Sequence, residues 1–301
     1  MKLLITGAIS WNEEQKNKLK EIGHELVYIQ DERIPLKNQG IDPEDIEGVV
    51  GNGLFLYNKI SDFKNLKYIQ LTSAGFNQVP MDYIREHQIE IHNARGVYSI
   101  PMAEFAVCGV LQLYKQSRFF YENQKNSQWE KHRKLIELSK KTVCIIGCGS
   151  VGTECAKRFA AFGSRVIGID FYPRKDKSYE EIFELKSMEY VLPGSDIVVL
   201  TLPLTNETRH LMNQQRLEMM KERAILVNIA RGAIVDTEAL IRVMTHLGGA
   251  VLDVLEDEPL GKASPLWMME NVIITPHNSF VGDGNRERLS KLILRNIGEQ
   301  K

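Results

Sequence analysis

Short runs of β-branched and apolar residues alternate with amphipathic, helix-compatible stretches along most of this chain. In the first third, the strand-like runs are LLIT (3–6), ELVYI (25–29), GVVG (48–51), YIQLT (68–72) and IEIHN (89–93). Parallel strands joined by helices produce this alternation, because each connection must cross a face of the sheet and cover it. The pattern therefore predicts an α/β protein built from doubly wound parallel sheets.

A second and denser series begins after Lys141, with the runs TVCIIG, RVIGID, DIVVLTL, AILVNI, GGAVLDV and NVIITP. Six such strands are what a Rossmann-type dinucleotide-binding sheet requires. Between the two series, apolar residues at helical spacing predict one long helix over 100–121. A chain of 301 residues is long for a single core, so two domains are expected.

The last amphipathic helix carries apolar side chains on one face and is predicted to pack back on the first domain. The first domain would then be discontinuous, comprising 1–96 and 280–301, with a second domain, 97–279, inserted into it.

The composition and charge of the chain limit the classes of partner that it is expected to bind. Thirty-eight basic residues against thirty-nine acidic ones give a net charge of -1, and no basic block favours nucleic acid or an anionic membrane. The apolar runs are too short to span a bilayer, and the opening MKLLITGAIS is interpreted as a buried strand, so a cytoplasmic protein is expected. The spacing of the four cysteines favours buried thiols over a disulfide framework or a metal site.

A glycine-rich motif, GCGSVG, follows the predicted strand TVCII and opens a predicted helix. Gly147 permits a tight turn, Gly149 lets backbone N–H groups approach a pyrophosphate, and Gly152 packs helix on strand. Asp170 lies 18 residues after Gly152 (170 minus 152), where a carboxylate accepts ribose hydroxyls and repels a 2′-phosphate. The motif predicts NAD as cofactor, although Arg174 leaves NADP open.

Three polar segments follow predicted strands of the second series: NIARG, DVLEDEP and TPHNS. The carboxyl ends of parallel strands converge on one crevice, so Arg231, Glu258 and His277 are expected to meet there. From the residues alone, the arginine could equally be a surface ion-pair residue, whereas the glutamate would more often be a loop acid and the histidine a turn residue.

Over about 90–280 the sequence resembles the D-isomer-specific 2-hydroxyacid dehydrogenases, through IIGCGSVG, the acid in IGID, SDIVVLTLPLTNET, MKERAILVNIARGAIVD, LDVLEDEP and SPLWMMENVIITPHNS. TSAGFNQV and GVYSIPMAEFA resemble the family's substrate loop and dimerisation helix. The resemblance implies that Arg231 binds the substrate carboxylate and polarises the C2 oxygen, that His277 is the acid/base, and that Glu258 is its partner. It also implies a carboxylate cradle at Ser73, Ala74 and Gly75. The discontinuous domain, 1–96 and 280–301, is then a flavodoxin-like substrate domain, and 97–279 is the Rossmann cofactor domain inserted into it. The cofactor contacts it implies are Met102, Gly147, Gly149, Ser150, Val151, Gly152, Asp170, Leu202, Pro203, Thr208, Ile229, Ala230, Arg231 and Asp253.

The expected function is therefore the NAD-dependent interconversion of a 2-keto acid and a D-2-hydroxy acid by a homodimer that pairs through the long helix and the arm after it. One alternative is 3-phosphoglycerate oxidation, which Asn52 disfavours, because family members with that activity carry a basic residue at this point. Another is an NAD-gated scaffold without activity, which has no need of Arg231, Glu258 and His277 together.

Overall fold

The computed structural model describes residues 1–298, which form two compact units. The first unit combines Met1–Tyr98 with the segment that begins at Gly282, and the second is Ser99–Val281. Across residues 1–298, no helix is long and apolar enough to cross a membrane.

The first unit is a parallel sheet flanked by helices. Within the described residues its strands are β1 (Lys2–Thr6), β2 (Glu25–Ile29), β3 (Gly48–Gly51), β4 (Tyr68–Leu71) and β5 (Glu90–His92). Its helices are α1 (Glu13–Glu21), α2 (Leu54–Tyr57), α3 (Met81–Glu86) and, from the distant segment, α10 (Asn285–Gly298). The spatial order β2-β1-β3-β4-β5, with every pairing parallel, is the flavodoxin-like order.

Alternating residues of the strands bury opposite faces of this sheet. Leu4 of β1 joins a core with Val49 and Ile69, whereas Leu3 and Ile5 face the other side. On that second side they meet α10, whose Leu289, Ile293 and Ile297 are all buried. The apolar stripe of α10 therefore covers one face of the first sheet.

The second unit contains a larger parallel sheet, again counted over the described residues. Its strands are β6 (Thr142–Ile146), β7 (Arg165–Asp170), β8 (Glu181–Glu184), β9 (Ile197–Leu200), β10 (Ile225–Asn228), β11 (Gly249–Leu252) and β12 (Val272–Ile274). Its helices are α4 (Ser99–Tyr114), α5 (Ser117–Lys125), α6 (Ser150–Ala161), α7 (Met188–Val191), α8 (Gln214–Met219) and α9 (Thr237–Val243). The order β12-β11-β10-β9-β6-β7-β8 contains the Rossmann arrangement with one further strand.

The prediction of an α/β protein with doubly wound parallel sheets is confirmed. Two details of the second unit were predicted wrongly. The expected single helix over 100–121 is two helices, because Gln116 adopts a left-handed conformation and the carbonyl of Tyr114 accepts a hydrogen bond from the Ile136 N–H at 3.1 Å. The strand β8 was missed, because its sequence, EIFE, is bounded by two glutamates at the exposed edge of the sheet.

Candidate active site

The glycine-rich loop joins β6 to α6, and each of its three glycines meets a different local demand. Gly147 has φ +101°, a left-handed conformation that L side chains rarely adopt. A Cβ on Gly152 would lie 2.0 Å from the carbonyl oxygen of Gly147, so a side chain there would separate helix from strand. A Cβ on Gly149 would meet nothing within 4 Å, which leaves open space beside the first turn of α6. The loop therefore fits a pyrophosphate at the helix N-terminus.

Cys148, inside this loop, is buried, and so is Cys155 on α6. Burial raises the pKa of each thiol to about 12, so both are neutral at physiological pH. A neutral thiol in the loop adds no negative charge beside a pyrophosphate. Among residues 1–298, no group of three or more His, Cys, Asp and Glu side chains is placed to hold a metal ion.

Asp170 ends β7 beside the glycine loop, and its carboxylate is held there by backbone donors. One oxygen accepts the N–H of Cys148 at 2.6 Å and the other accepts the N–H of Tyr172 at 3.0 Å. Arg174 donates to the carbonyl oxygen of the same Cys148. Asp170 and Arg174 would have opposite effects on the choice between NAD and NADP. They bind the N–H and the carbonyl oxygen of the same residue, Cys148.

The segment after β9 supplies the next part of the predicted cofactor site. Leu202 is buried and Pro203 is exposed. Thr208 is fully buried, and its hydroxyl donates to the Pro203 carbonyl at 2.7 Å while accepting the N–H of Thr205 at 2.7 Å. Thr208 therefore closes the turn, and its contact with the cofactor stays a prediction.

Arg231 lies in a loop whose shape is set by Asn228 at the end of β10. The buried Asn228 side chain accepts the N–H of Ala230 at 3.1 Å and donates to the carbonyl of Arg231 at 3.0 Å. A Cβ on Gly232 would lie 1.9 Å from the carbonyl of Leu255, so this glycine lets the loop approach the segment that carries Glu258. Ile229 and Ala230 are both buried. The arginine side chain itself is half-buried.

Asp253, directly after β11, is buried and binds the loop that carries His277. Its carboxylate accepts the hydroxyl of Thr275 at 2.7 Å and the backbone N–H groups of Asn278 and Ser279 at 2.7 and 3.0 Å. Its carbonyl accepts the N–H of His277 at 2.8 Å. Four donors from one loop thus converge on a single residue, which fixes the backbone on both sides of the histidine.

His277 and Glu258 form a close pair at the surface of the second unit. The distance from His277 Nδ1 to Glu258 Oε2 is 3.0 Å, and the side chains are 43% and 41% exposed. The other carboxylate oxygen accepts the N–H of Leu255 at 3.0 Å. His277 also has φ +53°, so its backbone as well as its side chain is in a defined and uncommon conformation. Such a pair can exchange a proton through Nε2 while the carboxylate orients the ring.

A second histidine–carboxylate pair lies close in sequence to the first, and sequence reasoning missed it. Glu256 is only 25% exposed, and its Oε1 lies 2.6 Å from His210 Nε2. The partners are 46 positions apart, so no local pattern could have linked them. The His210–Glu256 pair can therefore serve as a control for the His277–Glu258 pair.

The predicted substrate residues of the first unit follow β4. Ser73 Oγ donates to the Gly75 carbonyl at 3.1 Å and accepts from Gln78 Nε2 at 2.6 Å, while Asn93 Nδ2 donates to the Ala74 carbonyl at 2.7 Å. The loop therefore has a defined conformation.

Met102, on α4 of the second unit, is half-buried and packs against the core beneath that helix.

Comparisons with known proteins give the family of this chain. The family model described as "D-isomer specific 2-hydroxyacid dehydrogenase, NAD binding domain" matches residues 107–279. A glyoxylate reductase from Thermofilum pendens is 34% identical over 241 residues, covering 77% of this chain and 71% of that protein.

Two solved structures superpose over nearly the whole chain. D-lactate dehydrogenase from Aquifex aeolicus, complexed with NAD and lactic acid, has 26% identity and a TM-score of 0.76, covering 99% of this chain and 95% of that one. A D-isomer specific 2-hydroxyacid dehydrogenase from Xanthobacter autotrophicus, in complex with NADPH and MES, has 28% identity and a TM-score of 0.77, covering 100% and 95%. The chain, with its Rossmann sheet and glycine-rich loop, belongs to the NAD-dependent D-isomer-specific 2-hydroxyacid dehydrogenase family.

Proposed function

We propose that this protein reduces a small 2-keto acid to the D-2-hydroxy acid with NADH, and catalyses the reverse reaction with NAD. The observation that carries the proposal is the His277–Glu258 pair, held on a loop that the buried Asp253 binds through four donors. Relatives named as glyoxylate reductases support a substrate with little or no side chain.

When bound, NADH supplies the hydride that reduces the C2 carbonyl. Arg231 binds the substrate carboxylate through its planar guanidinium and polarises the carbonyl oxygen. His277 donates the proton that the developing alkoxide needs, and Glu258 holds the ring through Nδ1 so that Nε2 makes this transfer. In the oxidative direction the same nitrogen removes the hydroxyl proton.

We assign the other predicted residues by unit. In the second unit, Gly147, Gly149, Ser150, Val151, Gly152 and Asp170 bind NAD, together with Leu202, Pro203, Ile229, Ala230, Asp253 and Met102. In the first unit, Ser73, Ala74 and Gly75 contact the substrate carboxylate. The first unit is then the substrate domain, interrupted in sequence by the cofactor domain.

The direct test is a panel of 2-keto acids with NADH, followed by the loss of nicotinamide absorbance. Turnover of glyoxylate, pyruvate or a similar small keto acid is expected. A protein that binds NADH tightly but reduces none of the panel would instead be the NAD-gated scaffold. Preferential turnover of 3-phosphohydroxypyruvate would identify the phosphoglycerate activity.

Cofactor preference is expected to depend on Asp170. In the unmodified protein kcat/KM should be higher with NADH than with NADPH, because the carboxylate repels a 2′-phosphate. In Asp170→Ser this preference should fall by about tenfold or more, because the carboxylate that repels a 2′-phosphate is removed while the nearby Arg174 remains. Glu180→Gln is the matched control, because Glu180 is an exposed acid that follows Asp170 in the chain and pairs with Arg165. The cofactor preference should stay unchanged in this variant. Equal kcat/KM for both cofactors in the unmodified protein would show that Arg174 outweighs Asp170.

A homodimer is also proposed. The segment after α4 displays large apolar side chains, with Tyr121 63% and Trp129 98% exposed. Light scattering at micromolar concentration should give about twice 34.4 kDa, and Trp129→Glu should lower that mass because a charge would be desolvated at the interface. Tyr190→Glu, at another exposed aromatic of the same unit, should have no effect. A monomer in the unmodified protein would contradict the proposal.

A further inference from the structure

One acidic side chain of the first unit lies where that sheet would receive a ligand. In the order β2-β1-β3-β4-β5, the connections reverse direction between β1 and β3, and ligands of such sheets bind beside the carboxyl ends of the strands at this switch point. Glu32 lies there: its Oε2 accepts the hydroxyl of Thr6, the last residue of β1, at 2.8 Å.

The same carboxylate also binds the loop that follows β3. Its Oε2 accepts the N–H of Asn52 at 3.0 Å and its Oε1 accepts the N–H of Gly53 at 2.6 Å. Gly51 gives this approach its room, since a Cβ there would lie 3.0 Å from Glu32 Oε2. The half-buried carboxylate is therefore a fixed negative charge at the ends of β1 and β3.

A short chain of hydrogen bonds connects this charge with the proposed substrate loop. The Asn52 side chain accepts from Gln78 Nε2 at 3.1 Å, and the same nitrogen donates to Ser73 Oγ at 2.6 Å. Glu32, Asn52 and Ser73 thus border one region of the unit. If the substrate carboxylate binds at Ser73 and the substrate side chain extends towards Asn52, that side chain lies within the field of Glu32.

This arrangement opposes a second negative charge on the substrate. The two backbone N–H groups that could serve an anion, those of Asn52 and Gly53, already bind Glu32. The neighbouring Arg33 makes a bidentate ion pair with Asp31, at 2.9 Å for both contacts. A phosphate or a second carboxylate would therefore meet repulsion from Glu32 that neither these two N–H groups nor Arg33 offsets.

We propose that Glu32 is a specificity-determining residue that restricts the protein to 2-keto acids with uncharged side chains. The inference rests on the proposed function and goes further, since it assigns the restriction to one residue outside the recognised motifs. It also gives a physical reason for excluding 3-phosphohydroxypyruvate that adds to the lack of a basic residue at position 52.

The test compares 2-oxoglutarate with 2-oxopentanoate, which have the same chain length and differ by the distal carboxylate. The unmodified protein should have the lower kcat/KM for 2-oxoglutarate. In Glu32→Gln the ratio of the two kcat/KM values should move towards 2-oxoglutarate by about tenfold, because one nearby charge is removed. The pair 3-phosphohydroxypyruvate and hydroxypyruvate should show the same direction of change.

Two further variants make the result specific. Glu47→Gln is the matched control. Glu47 also accepts a backbone N–H, that of Lys2 at 2.8 Å, but it lies before β3 rather than beside the loop after it. The ratio of the two kcat/KM values should stay unchanged in this variant. Asn52→Lys keeps Glu32 and adds a cation at an exposed position beside it, so it should shift the ratio as Glu32→Gln does even if that variant folds poorly.

An unchanged ratio in folded Glu32→Gln, or in Asn52→Lys if Glu32→Gln does not fold, would overturn the inference while leaving keto-acid reduction intact. Preferential turnover of 2-oxoglutarate by the unmodified protein would do the same. Failure of the unmodified protein to reduce any keto acid would overturn the proposed function and this inference with it.

Discussion

Replacement of His277 by alanine is expected to lower keto-acid reduction by roughly 10²- to 10⁴-fold, the usual loss when a general acid is removed. The binding of NADH, measured by fluorescence titration, should remain nearly unchanged, because the glycine-rich loop and Asp170 lie on other segments. The two measurements together separate a lost proton donor from a lost cofactor site.

The control for this variant is already present in the fold. His210→Ala removes a histidine that is also paired with a glutamate, and it should retain most of the activity. Glu258→Gln keeps an oxygen that can accept from Nδ1 of His277 but removes the charge, so its activity should fall less than that of His277→Ala. Equal losses in His210→Ala and His277→Ala would contradict the assignment of His277.

Arg231→Lys is expected to raise KM for the keto acid by roughly 10- to 100-fold, because a point charge replaces a planar fork that binds a carboxylate through two hydrogen bonds. Oxamate, which presents a carboxylate next to a carbonyl, should lose affinity as a competitive inhibitor by a similar factor. Because inhibition needs no chemical step, it reports binding alone.

Arg242→Lys is the matched control, since Arg242 is exposed on α9 and bonds to Gln214 at 3.0 Å. It should leave both constants unchanged. If Arg231→Lys left KM and oxamate inhibition unaltered, the substrate carboxylate would have to bind elsewhere.

The strands that formed the sheets were largely predictable, because buried parallel strands are short apolar runs that local sequence reveals. GVVG (48–51) and TVCII (142–146) are examples in which the predicted and observed strands coincide. The placement of Arg231, Glu258 and His277 at the carboxyl end of the second sheet also follows from sequence, since each lies in the segment that follows a strand. Glu258 Oε2 and His277 Nδ1 are 3.0 Å apart, and the segments that carry them were expected to meet.

The features that escaped prediction depend on contacts between distant positions. Nothing in the local sequence shows that Asp253 binds the loop of His277, or that Glu256 pairs with His210. The break between α4 and α5 likewise depends on the hydrogen bond from the N–H of Ile136, some twenty residues beyond the end of α4. It also depends on the left-handed conformation of Gln116, a position where the sequence has no glycine to indicate it. Hydrogen bonds of this kind are set by the assembled fold, so a reading of periodicity and local motifs cannot locate them.

The position of α10 in the chain has a consequence for biosynthesis. Ribosomes release residues in order, and domains generally fold as units once their sequence is available. The second unit, Ser99–Val281, is complete before α10 exists, whereas Leu3 and Ile5 of the first unit must wait for Leu289 and Ile293 to cover them. Until α10 is synthesised, the nascent first unit therefore exposes the part of the sheet face that α10 covers, so this unit can complete its folding only after Ser99–Val281 has been synthesised.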